Sequence, residues 1–180
     1  MTGILLKAQN IFLIGPMGVG KTTIGRMLAE KFGLQFFDSD QEIEKRTGAD
    51  IPWIFDVEGE SGFRLRESSM IEELTEKSGI VLSTGGGSVL DVRNRKNLAA
   101  RGLVIFLDTS LEIQLKRVRN DKKRPLINRG DRKNILVKMR EERFPLYSEI
   151  ADLTFFVGDT SSRKVTSGLV EKMQEEGWAA

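Results

Sequence analysis

Gly15-Pro16-Met17-Gly18-Val19-Gly20-Lys21-Thr22 fits G-x-x-x-x-G-K-[ST]. Glycines at this spacing let the backbone curl so that successive N–H groups point at phosphate oxygens, and a following helix adds the partial positive charge of its N-terminus. Lys21 is expected to bridge the β- and γ-phosphates of a nucleoside triphosphate, and the Thr22 hydroxyl to coordinate Mg²⁺. Gly18, Val19, Gly20, Lys21, Thr22 and Thr23 are the candidate nucleotide contacts. A dinucleotide fingerprint fails, because Thr23 stands where a third glycine is needed. Two further groups could face the same crevice. Phe36-Phe37-Asp38-Ser39-Asp40 places two carboxylates on one side if the segment is extended: one to hold Mg²⁺ through its water shell, the other to accept from substrate hydroxyls. Either is equally suited to capping the next helix. Thr84-Gly85-Gly86-Gly87 offers bare backbone to a small substrate, or else a flexible turn.

These groups need a frame. Residues 11–14 are a short apolar run rich in strand formers, the pattern of a strand buried on both faces, and Ile24, Met27, Leu28 and Phe32 repeat at helical spacing before Gly33. The alternation continues with strands over 34–37, 80–83, 103–107 and 153–157. Helices are expected after Ser39 or Asp40 and over about 62–77, 92–100, 111–118, 135–147 and 162–176, with Pro52 and Pro145 starting or kinking helices. Five strands alternating with helices predict an α/β fold, a parallel sheet covered on both faces. The glycine triplet then lies at a strand's carboxyl end, where such sheets bind ligands.

Composition narrows the chemistry. The 180 residues, 39% apolar and 30% charged, suit a single domain over 1–180. His and Cys are both absent. A thiol nucleophile, a Cys/His zinc site and an imidazole base are thereby excluded, and proton transfer falls to carboxylates, Lys, Tyr or substrate. No apolar run suits a membrane span and no signal segment is evident, so a cytoplasmic protein is expected. Net charge is only +2, although residues 119–133 hold seven basic side chains against Asp121 and Asp131. That stretch reads as a mobile basic loop between helices. A GTPase would need N-K-x-D, which is missing, and Asp56-Val57-Glu58-Gly59 matches D-x-x-G only formally. A motor ATPase would need an acidic strand end where Thr84 and the glycines stand.

Taken in order, the loop from Gly15 into Ile24-Gly25-Arg26, Asp38-Ser39-Asp40, Phe63-Arg64, Gly85-Gly86-Gly87, Arg124-Pro125-Leu126 and Arg143-Phe144-Pro145-Leu146-Tyr147 together resemble shikimate kinase. The resemblance implies transfer of the γ-phosphoryl of ATP to the 3-hydroxyl of shikimate, in chorismate and aromatic amino-acid biosynthesis. It implies a P-loop kinase of the nucleoside monophosphate kinase type, with sheet order 2-3-1-4-5, a substrate-binding helical part over 39–70 and a lid over 119–133. By the same resemblance Lys21, Asp40 and Arg124 are catalytic, and Asp40 binds the reacting diol. Arg64, Arg143 and the Gly86 N–H hold the rest of shikimate, Thr22 and Asp38 lie at Mg²⁺, Arg124 closes on ATP phosphates, and Arg117 lies beside adenine. The partners implied are ATP and shikimate, with no nucleic acid or membrane, for a monomer. Arg66 and Arg140, by contrast, are expected on solvated faces, and Trp53 and Phe55 in packing or else lining the shikimate pocket. The rivals are a related kinase acting on gluconate or a nucleoside monophosphate, and a nucleotide-dependent module whose basic loop touches RNA. The few apolar residues of that loop include no aromatic for base stacking, which disfavours the second.

Overall fold

Ile11–Ile14 (β1) is fully buried because a strand lies on either side of it and helices cover both faces. In the computed structural model, which describes residues 6–119, 126 and 131–180, β1 pairs in parallel with β3 (Ile80–Ser83) and β4 (Leu103–Asp108). β2 (Gln35–Asp38) and β5 (Leu153–Phe156) complete a parallel sheet in the order β2-β3-β1-β4-β5, as expected. The two-residue alternation of each strand divides the core. Ile11, Leu13, Ile105 and Leu107 face a layer containing Leu28 of α1 (Lys21–Phe32) and Leu169 of the helix over Ser162–Glu175. Phe12, Ile14, Val104 and Phe106 face Ile71, Leu98 and Tyr147 on the other side. Those three residues belong to α3 (Ile51–Thr75), α4 (Val92–Arg101) and α6 (Arg132–Ile150). The remaining helices are α2 (Ser39–Thr47), α5 (Leu111–Val118) and α7 (Ser162–Glu175).

Two local features position the site. Gly25 lets α1 lie close on the sheet: a Cβ there would come within 2.7 Å of the Phe36 ring and 3.2 Å of Leu13. Helix α3 begins earlier than its apolar pattern predicts. Asp50 accepts from the Trp53 N–H at 2.9 Å and Pro52 sits in the first turn, so a cap and a fixed φ start a polar segment that hydrophobic periodicity misses. Gly59, at φ 72°, breaks the helix between this segment and the residues that carry Phe63 to Leu74. Phe55 packs on Phe63 with ring centroids 4.9 Å apart, whereas Trp53 is exposed and does not pack as expected.

Candidate active site

The loop from Gly15 to Gly20 leaves the carboxyl end of the central strand and opens α1. Gly15, Gly18 and Gly20 all have positive φ, and a Cβ on Gly18 would stand 2.8 Å from Val118, so the curl is available only to glycine. Lys21 is buried and folds back over the loop, donating to the carbonyls of Gly15 (2.7 Å) and Pro16 (2.9 Å). The Thr22 hydroxyl donates to Asp38 Oδ2 at 2.7 Å, which brings together the two residues expected at Mg²⁺. Among the described residues no cluster of three acidic side chains could hold a metal alone. A hydroxyl and one carboxylate beside a phosphate loop nevertheless suit Mg²⁺, a hard cation that keeps waters and takes phosphate oxygens.

The extended reading of Asp38-Ser39-Asp40 is corrected. Asp38 ends β2, and its Oδ1 accepts the N–H groups of Asp40 (3.1 Å) and Gln41 (3.3 Å), so the helix starts at Ser39 and Asp40 lies in its first turn. Asp38 therefore caps α2 with one oxygen and accepts from Thr22 with the other. Asp40 still reaches the same crevice, by way of the helix rather than the strand.

Next to the phosphate loop is a cavity of about 350 Å³ lined by Asp40, Arg64, Glu67, Gly85, Gly86, Gly87 and Arg143, among others. Asp38, Thr22 and Leu126 also border it. Here the glycine triplet finds its reason. None of the three has a positive φ, so backbone freedom is not what excludes side chains. Space is: a Cβ on Gly85 would stand 2.6 Å from Glu67 Oε1 and 2.9 Å from Asp40 Oδ1. One on Gly86 would press on the Met17 N–H at 3.2 Å, and one on Gly87 would run into the Arg64 guanidinium. Ser39 Oγ fixes the turn by accepting the Gly85 N–H at 3.1 Å. The N–H groups of Gly86 and Gly87 have no protein acceptor among the described residues.

Arg64 and Arg143 both reach this cavity, from α3 and α6. Arg64 donates to Glu67 Oε2 at 2.5 Å and to Glu60 at 3.1 Å, and Arg143 is only 6% exposed. Glu67, at 1% exposure, went unnoticed in the sequence. Burial pushes its carboxyl up, against the pull of Arg64 and Arg143. Burial disfavours the charge on Arg64 too, but Glu67 and Glu60 outweigh it and raise the pKa. Two guanidiniums thus stand beside buried Glu67, whose Oε1 keeps no hydrogen-bond partner among the described residues.

Arg117 reaches from α5 to the loop, donating to the Val19 carbonyl (3.1 Å) and the Gly158 carbonyl (2.9 Å). It borders a second recess with Gly18, Val19, Gly20 and Asp159 to Ser162, so the segment after β5 lies against the phosphate loop. Arg66 pairs with Glu58 at the surface, in keeping with a solvated face. Arg140 does not: it forks onto Asp108 at 2.8 and 3.0 Å and donates to the Thr109 carbonyl, clamping α6 to the end of β4. The expectation failed because Asp108 is remote in sequence. Arg124, with most of the expected lid, lies outside the described residues. No described helix is long and apolar enough to cross a membrane.

A phosphate loop on the central strand of a 2-3-1-4-5 sheet, opening beside a polar cavity of small-molecule size, defines a P-loop kinase fold. The family model described as shikimate kinase matches residues 17–174. A shikimate kinase from Pseudoalteromonas atlantica is 52% identical over 95% of this chain and 100% of its own length. One from Buchnera aphidicola is 54% identical over 95% and 99%. The solved structure of shikimate kinase from Acinetobacter baumannii in complex with shikimate is 44% identical, with a TM-score of 0.91 and 94% of each chain covered. The chain belongs to the shikimate kinase family.

Proposed function

We propose that this protein transfers the γ-phosphoryl of ATP to the 3-hydroxyl of shikimate, giving shikimate 3-phosphate and ADP. The observation that carries the proposal is the cavity beside the phosphate loop, where Arg64 and Arg143 lie together with Asp40 and the glycine turn. A small ring with one carboxylate and several hydroxyls matches that lining: guanidinium forks suit the carboxylate and Asp40 suits the diol. The N–H groups of Gly86 and Gly87, which have no acceptor among the described residues, supply further donors. A nucleobase or an uncharged polyol would bring no anion to the two guanidiniums that reach the cavity.

In this reading Lys21 moves from the loop carbonyls onto the β- and γ-phosphates, and the loop N–H groups hold the phosphate chain. Thr22 and Asp38 would hold Mg²⁺, which when bound neutralises charge on the phosphate oxygens. Arg117 and the segment after β5 flank the adenine, and Arg124 approaches the phosphates from the lid. Asp40 orients the acceptor hydroxyl and takes its proton late, because a loose phosphoryl-transfer transition state asks more for positioning and charge stabilisation than for a strong base. Residues 39–70 act as the acceptor-binding part and 119–133 as the lid. The proposal takes the protein to act as a monomer in the cytoplasm.

A coupled assay of ADP release with Mg²⁺ and a panel of acceptors tests the proposal. Shikimate is expected to be the preferred acceptor over gluconate and nucleoside monophosphates, and no shikimate-dependent ADP release would overturn it.

A further inference from the structure

We infer that Tyr147 is a positioning residue for the acceptor, acting through the carbonyl of Gly86. Its side chain is 3% exposed, and its hydroxyl donates to that carbonyl. The ring is held in place by stacking on Phe106, with centroids 5.0 Å apart and planes at 28°, so the hydroxyl has little freedom to look elsewhere. Burial pushes its pKa up, against the Arg143 charge, which keeps it a protonated donor throughout the range in which a kinase is assayed.

The contact governs more than one oxygen. In a trans peptide the C=O and the next N–H point in opposite directions within one plane. Holding the Gly86 carbonyl therefore sets the direction of the Gly87 N–H, one of the two donors in the turn with no protein acceptor among the described residues. The rest of the turn is fixed separately: Gly85 donates to Ser39 Oγ at 3.1 Å, and the carbonyls of Gly85 and Gly87 accept from Ser88 and Leu90. The peptide between Gly86 and Gly87 is the part those bonds leave to Tyr147. On α6, Tyr147 also lies four residues after Arg143, on the same face one turn away. One helical turn thus carries both an arginine of the cavity and the hydroxyl that aims the backbone opposite it.

The inference rests on the acceptor reading above, since it concerns how the same cavity holds shikimate. The test compares Y147F, which removes the hydroxyl and keeps the stack, with F106L, which loosens the stack and keeps the hydroxyl. Each is measured beside the wild type in the coupled assay with shikimate and ATP varied in turn. Y147F is expected to raise the shikimate KM by about tenfold while leaving kcat and the ATP KM within about twofold, the pattern of lost uniform binding. F106L is expected to lower thermal stability and to raise the shikimate KM much less than Y147F does, because the hydroxyl is still present to reach the Gly86 carbonyl. A wild-type shikimate KM in Y147F would overturn the inference. So would an equal rise in F106L, which by itself would assign the effect to packing. Wild-type protein without shikimate-dependent turnover would instead defeat the acceptor reading.

Discussion

Gly87→Ala separates acceptor binding from folding. Gly87 has φ −100° and ψ 0°, a conformation any residue adopts, so the backbone itself tolerates the change. The added methyl does not fit, because its position lies 2.6 Å from Arg64 Cζ. Carbon contacts are comfortable near 3.5 Å, so the guanidinium must withdraw by roughly 1 Å. It is anchored against withdrawal by Glu67 at 2.5 Å and Glu60 at 3.1 Å, and moving it breaks that alignment. Losing one charge-assisted hydrogen bond to the acceptor carboxylate costs about 1.5–3 kcal/mol, or roughly 10- to 150-fold in kcat/KM for shikimate. The assay is coupled ADP release with shikimate varied at saturating MgATP, accompanied by the melting temperature and the ATP KM, both expected to stay near wild type. A kcat/KM within about twofold of wild type would refute the reasoning, since it would mean that Arg64 works equally well when displaced.

Asp40→Asn is expected to lower kcat by about a hundredfold or more while leaving nucleotide affinity intact; loss of ATP binding by calorimetry would put Asp40 on the wrong substrate. Gly25→Ala is expected to destabilise the fold by about 1 kcal/mol, overpacking against Phe36 exceeding the gain in helix propensity, as read from the urea midpoint. Asp91 caps α4 through the Arg93 N–H at 2.8 Å and pairs with the Arg93 side chain, which together hold its carboxyl down to about 2 from 3.8. Its stabilisation is complete above the ordinary aspartate range and is lost as pH falls through about 2. Asp91→Ala is therefore expected to cost about 1 kcal/mol at neutral pH, with the gap from wild type closing across that acid window in denaturation curves.

What could be read from the residues alone followed how local each interaction is. The phosphate loop, the strands and the parallel sheet are legible because glycine geometry, apolar runs and the alternation of elements are properties of neighbouring residues, whereas the strand order follows only from the family resemblance. Arg64 and Arg143 were legible only through the motifs around them. Glu67 was not, since on a helix crowded with Arg and Glu nothing nearby distinguishes it; its burial arises where α3 meets the glycine turn. Arg140 was misjudged for the same reason, its partner Asp108 being on another element. Asp40 was assigned to the right crevice by the wrong route, because Asp38 starts a helix one residue sooner than an extended segment would allow.

The sheet order also dictates how the chain must be made. Ile11–Ile14, wholly apolar, pairs with Val81 and its neighbours on one side and with Leu103 and its neighbours on the other. During synthesis the central strand emerges before both of its partners, so a wholly apolar segment waits unpaired while most of the first half is translated. No amino-terminal fragment ending before β3 has a sheet to fold on. The phosphate loop, although contiguous in sequence and recognisable at a glance, takes shape only after residues far downstream have arrived.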